Sequence, residues 1–188
     1  MSFRWPALTW VILFLAGCGS LPPNGAIPPR PARDSIQAFA LEARFSAKVA
    51  TEGNSGRMTW SHEPDKDSVL FLSPLGQGVA TLTSDAFGAS LELADHTRYQ
   101  ADNPDELVAK LLGRPLPVRT LHRWVLGKAG TGASRDALGR LQAVLEDGWR
   151  VEILSFESEV PEALPSLLRI SKDDLELKLK IDGWSLKP

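Results

Sequence analysis

Leu41-Glu42-Ala43-Arg44-Phe45-Ser46-Ala47-Lys48-Val49 decides the fold. Every second side chain is apolar and the rest are charged or polar, the period of a β-strand with one dry face and one wet face. The same period recurs outward along the chain. Met58 and Trp60 share a face in the stretch 57–62, and Trp149, Val151 and Ile153 do so further on. Near the end, Leu175, Leu177, Leu179 and Ile181 alternate with Glu176, Lys178, Lys180 and Asp182. The run 68–72 is apolar on both faces, and 79–83, 89–94, 97–100, 138–145 and 167–170 read as further short strands. Glycine, proline and aspartate clusters at 52–56, 63–67, 73–78, 84–88 and 171–174 mark turns, and Asp147-Gly148 is a hairpin signal.

Three segments have a helical period. A short helix is expected from about Asp34, with Ile36, Phe39 and Ala40 on one face and Asp34 or Ser35 as cap. In mid-chain, Asn103 caps, Pro104 takes the first helical position and Glu106 completes an Asn-x-x-Glu pattern. Leu107, Val108, Leu111 and Leu112 form its apolar stripe, and Gly113 stops it. Leu121, Trp124 and Val125 share a face of a second helix that ends at Gly127. About ten short strands with helices inserted predict a mainly β chain of α+β class, an antiparallel barrel or sandwich with a helical cap.

The N-terminus has a different character. Arg4 precedes a short, mostly apolar run, 5–16, which ends in Leu15-Ala16-Gly17-Cys18 with the only cysteine of the chain. The run falls short of the roughly 20 residues a membrane-spanning helix needs. It has the parts of a secretory signal, with a cysteine where the cut would fall. The tetrapeptide resembles the lipobox of bacterial lipoproteins, which implies cleavage before Cys18 and acylation of its sulfur and new amino group. Gly19, where an aspartate would mark inner-membrane retention in enterobacteria-like sorting rules, implies the outer membrane. Residues 1–17 are thus expected to be a lipoprotein signal peptide. Residues 18–33, with five prolines between 22 and 31, are expected to be a lipidated tether, and 34–188 one domain.

Composition narrows the function. A formal charge of −2 over 188 residues, with no dense basic cluster, argues against a nucleic-acid surface. With Cys18 spent on lipid, no disulfide, thiolate ligand or thiol nucleophile is expected. His62, His96 and His122 stand in no metal-ligand spacing, and no G-x-S-x-G elbow or P-loop occurs. Asp65-Lys66-Asp67 and Asp173-Asp174 read as solvated turn residues. No catalytic site, metal or cofactor is expected. What remains is apolar: Leu75 in a glycine-bearing loop between two strong strands, and amphipathic helices that cover either a filled core or a hollow one.

The order of several short motifs resembles the outer-membrane lipoprotein receptor LolB family. They are the lipobox, Ser73-Pro74-Leu75-Gly76, Tyr99-Gln100-Ala101-Asp102, the Leu-Gly-Arg-Pro-Leu-Pro run at 112–117, Trp124-Val125-Leu126-Gly127, Asp147-Gly148-Trp149 and the closing Leu177–Ile181 with Trp184. The resemblance implies an unclosed antiparallel β-barrel of about ten or eleven strands with a helical lid over a hydrophobic cavity. It also implies a lipid-anchored outer-membrane protein, its domain facing the periplasm, that takes acylated lipoproteins from the carrier LolA and places them among outer-membrane lipids. A monomer is expected. Leu75 aligns with the protruding leucine that the family uses in membrane insertion. Phe45, Val49, Trp60, Phe71, Leu93 and Ile153, with Leu111 and Trp124 from the lid, are the candidate cavity lining. The alternatives are an envelope lipoprotein that scaffolds assembly around a filled core, and a lipid-binding enzyme.

Overall fold

The alternation at 41–49 forms the long strand β1 (Phe39–Val49), which pairs antiparallel on one side with β2 (Glu52–Glu63) and on the other with the C-terminal β11 (Leu175–Leu186). The computed structural model describes residues 30–114 and 116–186. From β2 the chain continues as a meander through β3 (Lys66–Leu72), β4 (Gly78–Asp85), β5 (Gly88–Leu93) and β6 (Arg98–Ala101). Two helices follow, α1 (Pro104–Leu112) and α2 (Val118–Val125). A second meander then runs through β7 (Ser134–Arg135), β8 (Leu141–Glu146), β9 (Trp149–Phe156) and β10 (Pro165–Lys172) into β11. The described strands make one eleven-stranded antiparallel sheet in the order β6-β5-β4-β3-β2-β1-β11-β10-β9-β8-β7. β6 and β7 remain its edges, so the barrel is unclosed, and the helices connect one edge to the other.

Local chemistry explains the helix positions. Asn103 Oδ1 accepts from the Glu106 amide at 2.9 Å, Pro104 opens α1, and Gly113 leaves it in the left-handed region at φ 67°. At the β8–β9 hairpin, Asp147 and Gly148 both have positive φ, 51° and 77°, as a type I′ turn requires. In β11 the register shifts opposite Glu42/Ala43. This bulge moves the inward parity from Leu179 and Ile181 onto Trp184, whose ring lies 5.4 Å from that of Phe39.

Two elements depart from the sequence expectation. The helix expected from Asp34 is a single 3₁₀ turn, Arg33–Ser35, and Phe39 and Ala40 already belong to β1. Phe39 is fully buried, because pairing with His62 and Leu186 extends the ladder further than a lone helical turn could satisfy the backbone. The glycine-rich stretch 52–56 is strand rather than turn, and the reversal is the two residues Ala50-Thr51. Gly56 is there for space: a Cβ would stand 2.5 Å from the Leu72 carbonyl oxygen and 3.0 Å from the Phe45 ring.

The inner face of the sheet holds the core, and its two meanders differ. Over β8–β10, Leu141, Val151, Leu164, Leu168 and Ile170 have no exposed surface, and Trp124 of α2 packs on them. Over β1–β5, the inward Phe45, Phe71 and Leu91 are only partly buried.

Candidate functional site

The space those three side chains leave is a cavity of about 400 Å³ between the sheet and the helices. β1 contributes Phe45 and Ala47; β2 contributes Met58 and Trp60; β3 contributes Val69 and Phe71; Leu82 and Leu91 come from β4 and β5. Leu177 and Leu179 of β11 close one side, and Val108, Leu116, Val118 and Leu121 roof it. Of the seventeen described residues on the lining, Asn54 alone is polar. Three larger concavities on the outer surface, about 570, 540 and 470 Å³, have several charged or hydroxyl side chains in their walls. Size therefore does not single out the site; the lining, apolar but for Asn54, does.

The cavity keeps its polar neighbours outside. The Trp60 indole donates to Asp67 Oδ1 at 2.7 Å, which leaves the ring face apolar toward the cavity. His62, almost fully buried, places Nδ1 2.8 Å from the same oxygen. Its ring stacks on His122 of α2 at 4.5 Å between centroids and 12° between planes. Burial first, and then the charge that His62 can carry, hold the His122 imidazole below its ordinary pKa. The stack lies where α2 meets β2. The same C-terminal turn of α2 is fixed to β8, where Trp124 Nε1 and Arg123 Nη1 donate to the two oxygens of Glu146, each at 3.0 Å. Phe45 and Phe71 meet edge to face at 5.8 Å within the lining.

Of the candidate lining residues, the structure places Phe45, Trp60 and Phe71 on the cavity wall. Val49 lies one step beyond Ala47 at the end of β1, and Leu93 one step beyond Leu91 on the same face of β5; both are off the wall. Trp124 and Ile153 are corrections. Both are buried in the filled meander, because α2 crosses over β8–β9 with its indole aimed at Glu146 and β9 lies on that side of β11. Cys18 and residues 18–29 of the tether lie outside the described residues, as does the side chain of Leu111. The sequence reading missed Met58, Val69, Leu82, Leu91, Leu177 and Leu179. A same-face rule would have found them, since Met58 and Val69 stand two residues from Trp60 and Phe71 on their strands.

Leu75 is 90 % exposed at the tip of the β3–β4 connection. Ser73 accepts from the Gly76 amide at 2.9 Å and donates its own amide to Gln77 at 2.8 Å, Pro74 takes the second turn position, and Gly76 has φ 86°. The loop is thus a closed turn that presents a bare leucine. It shares a rim of the barrel with exposed Asn54 and Val79, which mark the open end of the cavity. Among the described residues no three His, Cys, Asp or Glu side chains cluster as metal ligands, and no helix is long and apolar enough to cross a membrane.

Comparison with known proteins places this geometry. The sequence model of the family described as outer membrane lipoprotein LolB matches residues 37–184. The outer-membrane lipoprotein LolB of Dechloromonas aromatica is 38% identical, covering 100% of both chains. That of an Azoarcus species is also 38% identical, over 82% of this chain and 81% of its own. A DUF1329 family protein from Desulfovibrio piger superposes with a TM-score of 0.51 at 8% identity, covering 82% of this chain and 88% of that one, a likeness of fold alone.

Proposed function

The chain belongs to the outer-membrane lipoprotein LolB family, whose role is lipoprotein localisation, and on that premise we propose that its cavity receives the acyl chains of lipoproteins handed over by the carrier LolA. The observation that carries this is an apolar cavity of about 400 Å³ left open in a sheet that packs side chains to zero exposure a few strands away. A scaffold protein has no use for that space.

The energetics require such a receptor. Each methylene taken out of water is worth about 0.8 kcal/mol. Three chains hold on the order of 40 methylenes, so exposing them costs on the order of 30 kcal/mol as an upper bound. The His62–His122 stack and the Glu146 contacts hold α2 over the cavity, and chains enter the space beneath it. Without a nucleotide, direction comes from affinity: the receptor holds chains more tightly than the carrier, and the bilayer more tightly than either. Lipid on Cys18 keeps the receptor at the membrane, and Leu75 disturbs the lipid surface where the chains enter.

The test is transfer in solution. Carrier loaded with labelled lipoprotein is mixed with this protein lacking its lipid, and the label is followed without ATP. Movement onto this protein is expected. Cargo that stays on the carrier over a wide range of concentration would end the proposal.

A further inference from the structure

The strand directions place the membrane tether and the cavity mouth at opposite rims of the barrel. β1 begins at Phe39 on one rim and ends at Val49 on the other. The chain reaches Phe39 from Arg30, which is fixed on the first rim. Its Nε and Nη2 donate to the two oxygens of Glu157 at 2.7 and 2.8 Å, with both side chains nearly buried. Arg33 then donates to the carbonyls of Pro161 and Ala163 in the same β9–β10 connection. The mouth, marked by Asn54 and Val79, and the Leu75 turn are on the second rim.

The first rim has its own apolar tip. Phe87, in the β4–β5 turn, is 97 % exposed, more than any other large apolar side chain among the described residues. The turn is closed by local contacts, as that of Leu75 is. Asp85 Oδ1 accepts from the Phe87 amide at 2.8 Å, and Gly88 has φ 146° with no room for a Cβ against the Ala101 carbonyl. One strand, β4, thus carries a bare leucine turn at one end and a bare phenylalanine turn at the other. Asp85, Asp102 and the Glu106–Lys110 ion pair lie beside Phe87, a net negative charge that suits a zwitterionic lipid surface and disfavours an anionic one.

We propose that the anchored protein rests on the bilayer through the rim that carries Phe87 and the Arg30 clamp, mouth toward the periplasm, and turns over on its tether to bring Leu75 to the same bilayer. The inference rests on lipidation of Cys18. The length of chain supports it. Twelve residues from Cys18 to Arg30 span at most about 40 Å, and the eleven residues of β1 span about 36 Å. The tether is just long enough to reach from one rim to the other. In the resting pose the mouth faces an arriving carrier; in the inverted pose it faces the lipid.

The test needs neither cargo nor carrier, so it stands apart from the transfer assay. Lipidated protein in phosphatidylethanolamine–phosphatidylcholine vesicles carries an environment-sensitive dye at Ala86→Cys or at Gln77→Cys, each beside but not replacing an apolar tip. Three tethers are compared: native, residues 20–27 deleted, and residues 20–27 replaced by glycine and serine at equal length. The dye at 86 is expected in lipid with all three, and several-fold less so when Phe87→Ser is added. The dye at 77 is expected to divide between water and lipid with the native and the glycine-serine tether, as the two poses exchange, and to stay in water with the deletion. A dye at 86 that stays in water overturns the resting face. A dye at 77 that reaches lipid on the short tether, or fails to on the native one, overturns the turning step.

Discussion

The two meanders of the sheet obey the same alternation and differ in how completely their inner faces are filled. In β8–β10 the inward Leu141, Val151, Leu168 and Ile170 close on Trp124 and have no exposed surface. In β1–β5 the inward Phe45, Phe71 and Leu91 are as large, yet they stand around a space of about 400 Å³. The difference is what lies opposite. α2 lays its indole into the β8–β10 meander and is fixed there by Glu146, whereas it offers the β1–β5 side only Val118, Leu121 and a stacked histidine. Alternation determines which side chains turn inward. Whether they meet anything is decided by the helices.

If that comparison is right, equal truncations have unequal costs. Leu168→Ala in the filled meander should cost about 3–4 kcal/mol, since its neighbours cannot collapse into the hole. Phe71→Ala removes more atoms and should cost less than half as much, because part of the ring already faces open space. Urea unfolding of both variants checks this, and equal losses would mean that the cavity behaves as ordinary core. Gly56→Ala probes the hollow side differently. The backbone there is tight even where side chains leave room, so this one methyl, aimed at the Leu72 carbonyl, should cost about 1–3 kcal/mol. Filling the hollow is the converse experiment. Ala80→Leu should leave stability within about 1 kcal/mol and weaken binding of a hydrophobic dye about tenfold, ~1.4 kcal/mol. Undiminished binding would place the dye elsewhere.

The same contrast explains what the sequence made legible. The period-2 runs gave both meanders, because burial on one face writes itself into every second residue. Asn103, Pro104 and Gly113 bounded α1, because caps are local chemistry. Phe45, Trp60 and Phe71 could be picked as cavity residues by parity, but nothing local separates them from Trp124 and Ile153, which are apolar, inward and buried in the other meander. That distinction depends on where α2 crosses the sheet, a non-local fact. The glycines at 53 and 56 misled for a related reason. Glycine signals a turn when it needs positive φ and a close approach when it needs space, and at Gly56 the reason was the Leu72 carbonyl and then the Phe45 ring.

The stacked histidines make the roof of the hollow side sensitive to acid. His122 has a folded pKa below its ordinary value, through burial and then His62, so the folded state favours the neutral ring. Its stabilising contribution is whole above the unfolded value near 6.5. It is lost as pH falls through that value toward the lower folded one, where the unfolded chain takes the proton first. Stability should therefore fall from pH 7 to pH 5 by more in the native protein than in His122→Gln, by thermal unfolding. Carboxylates held low by hydrogen-bonded partners, such as Asp182 beside Arg44, lose their contribution over a more acid range and are common to both proteins. Parallel curves for the two would remove the stack as the source.

The smallest effect on stability belongs to the residue that neither meander uses. Leu75 is 90 % exposed and touches no core, so Leu75→Glu should change unfolding by no more than about 0.5 kcal/mol. Dye binding and acceptance of cargo should also be unchanged, because the lining begins at Val79, beyond the closed turn. Delivery of accepted cargo into vesicles should fail. A leucine so exposed gains nothing by folding, and the hydrogen bonds that join Ser73 with Gly76 and with Gln77 go to holding it out rather than folding it in. If the glutamate variant accepts and delivers as the native protein does, the leucine is an ordinary surface residue and insertion must be driven from the mouth alone. If it accepts and cannot deliver, holding chains and releasing them into lipid belong to separate parts of one rim, the hollow meander and the turn beside it.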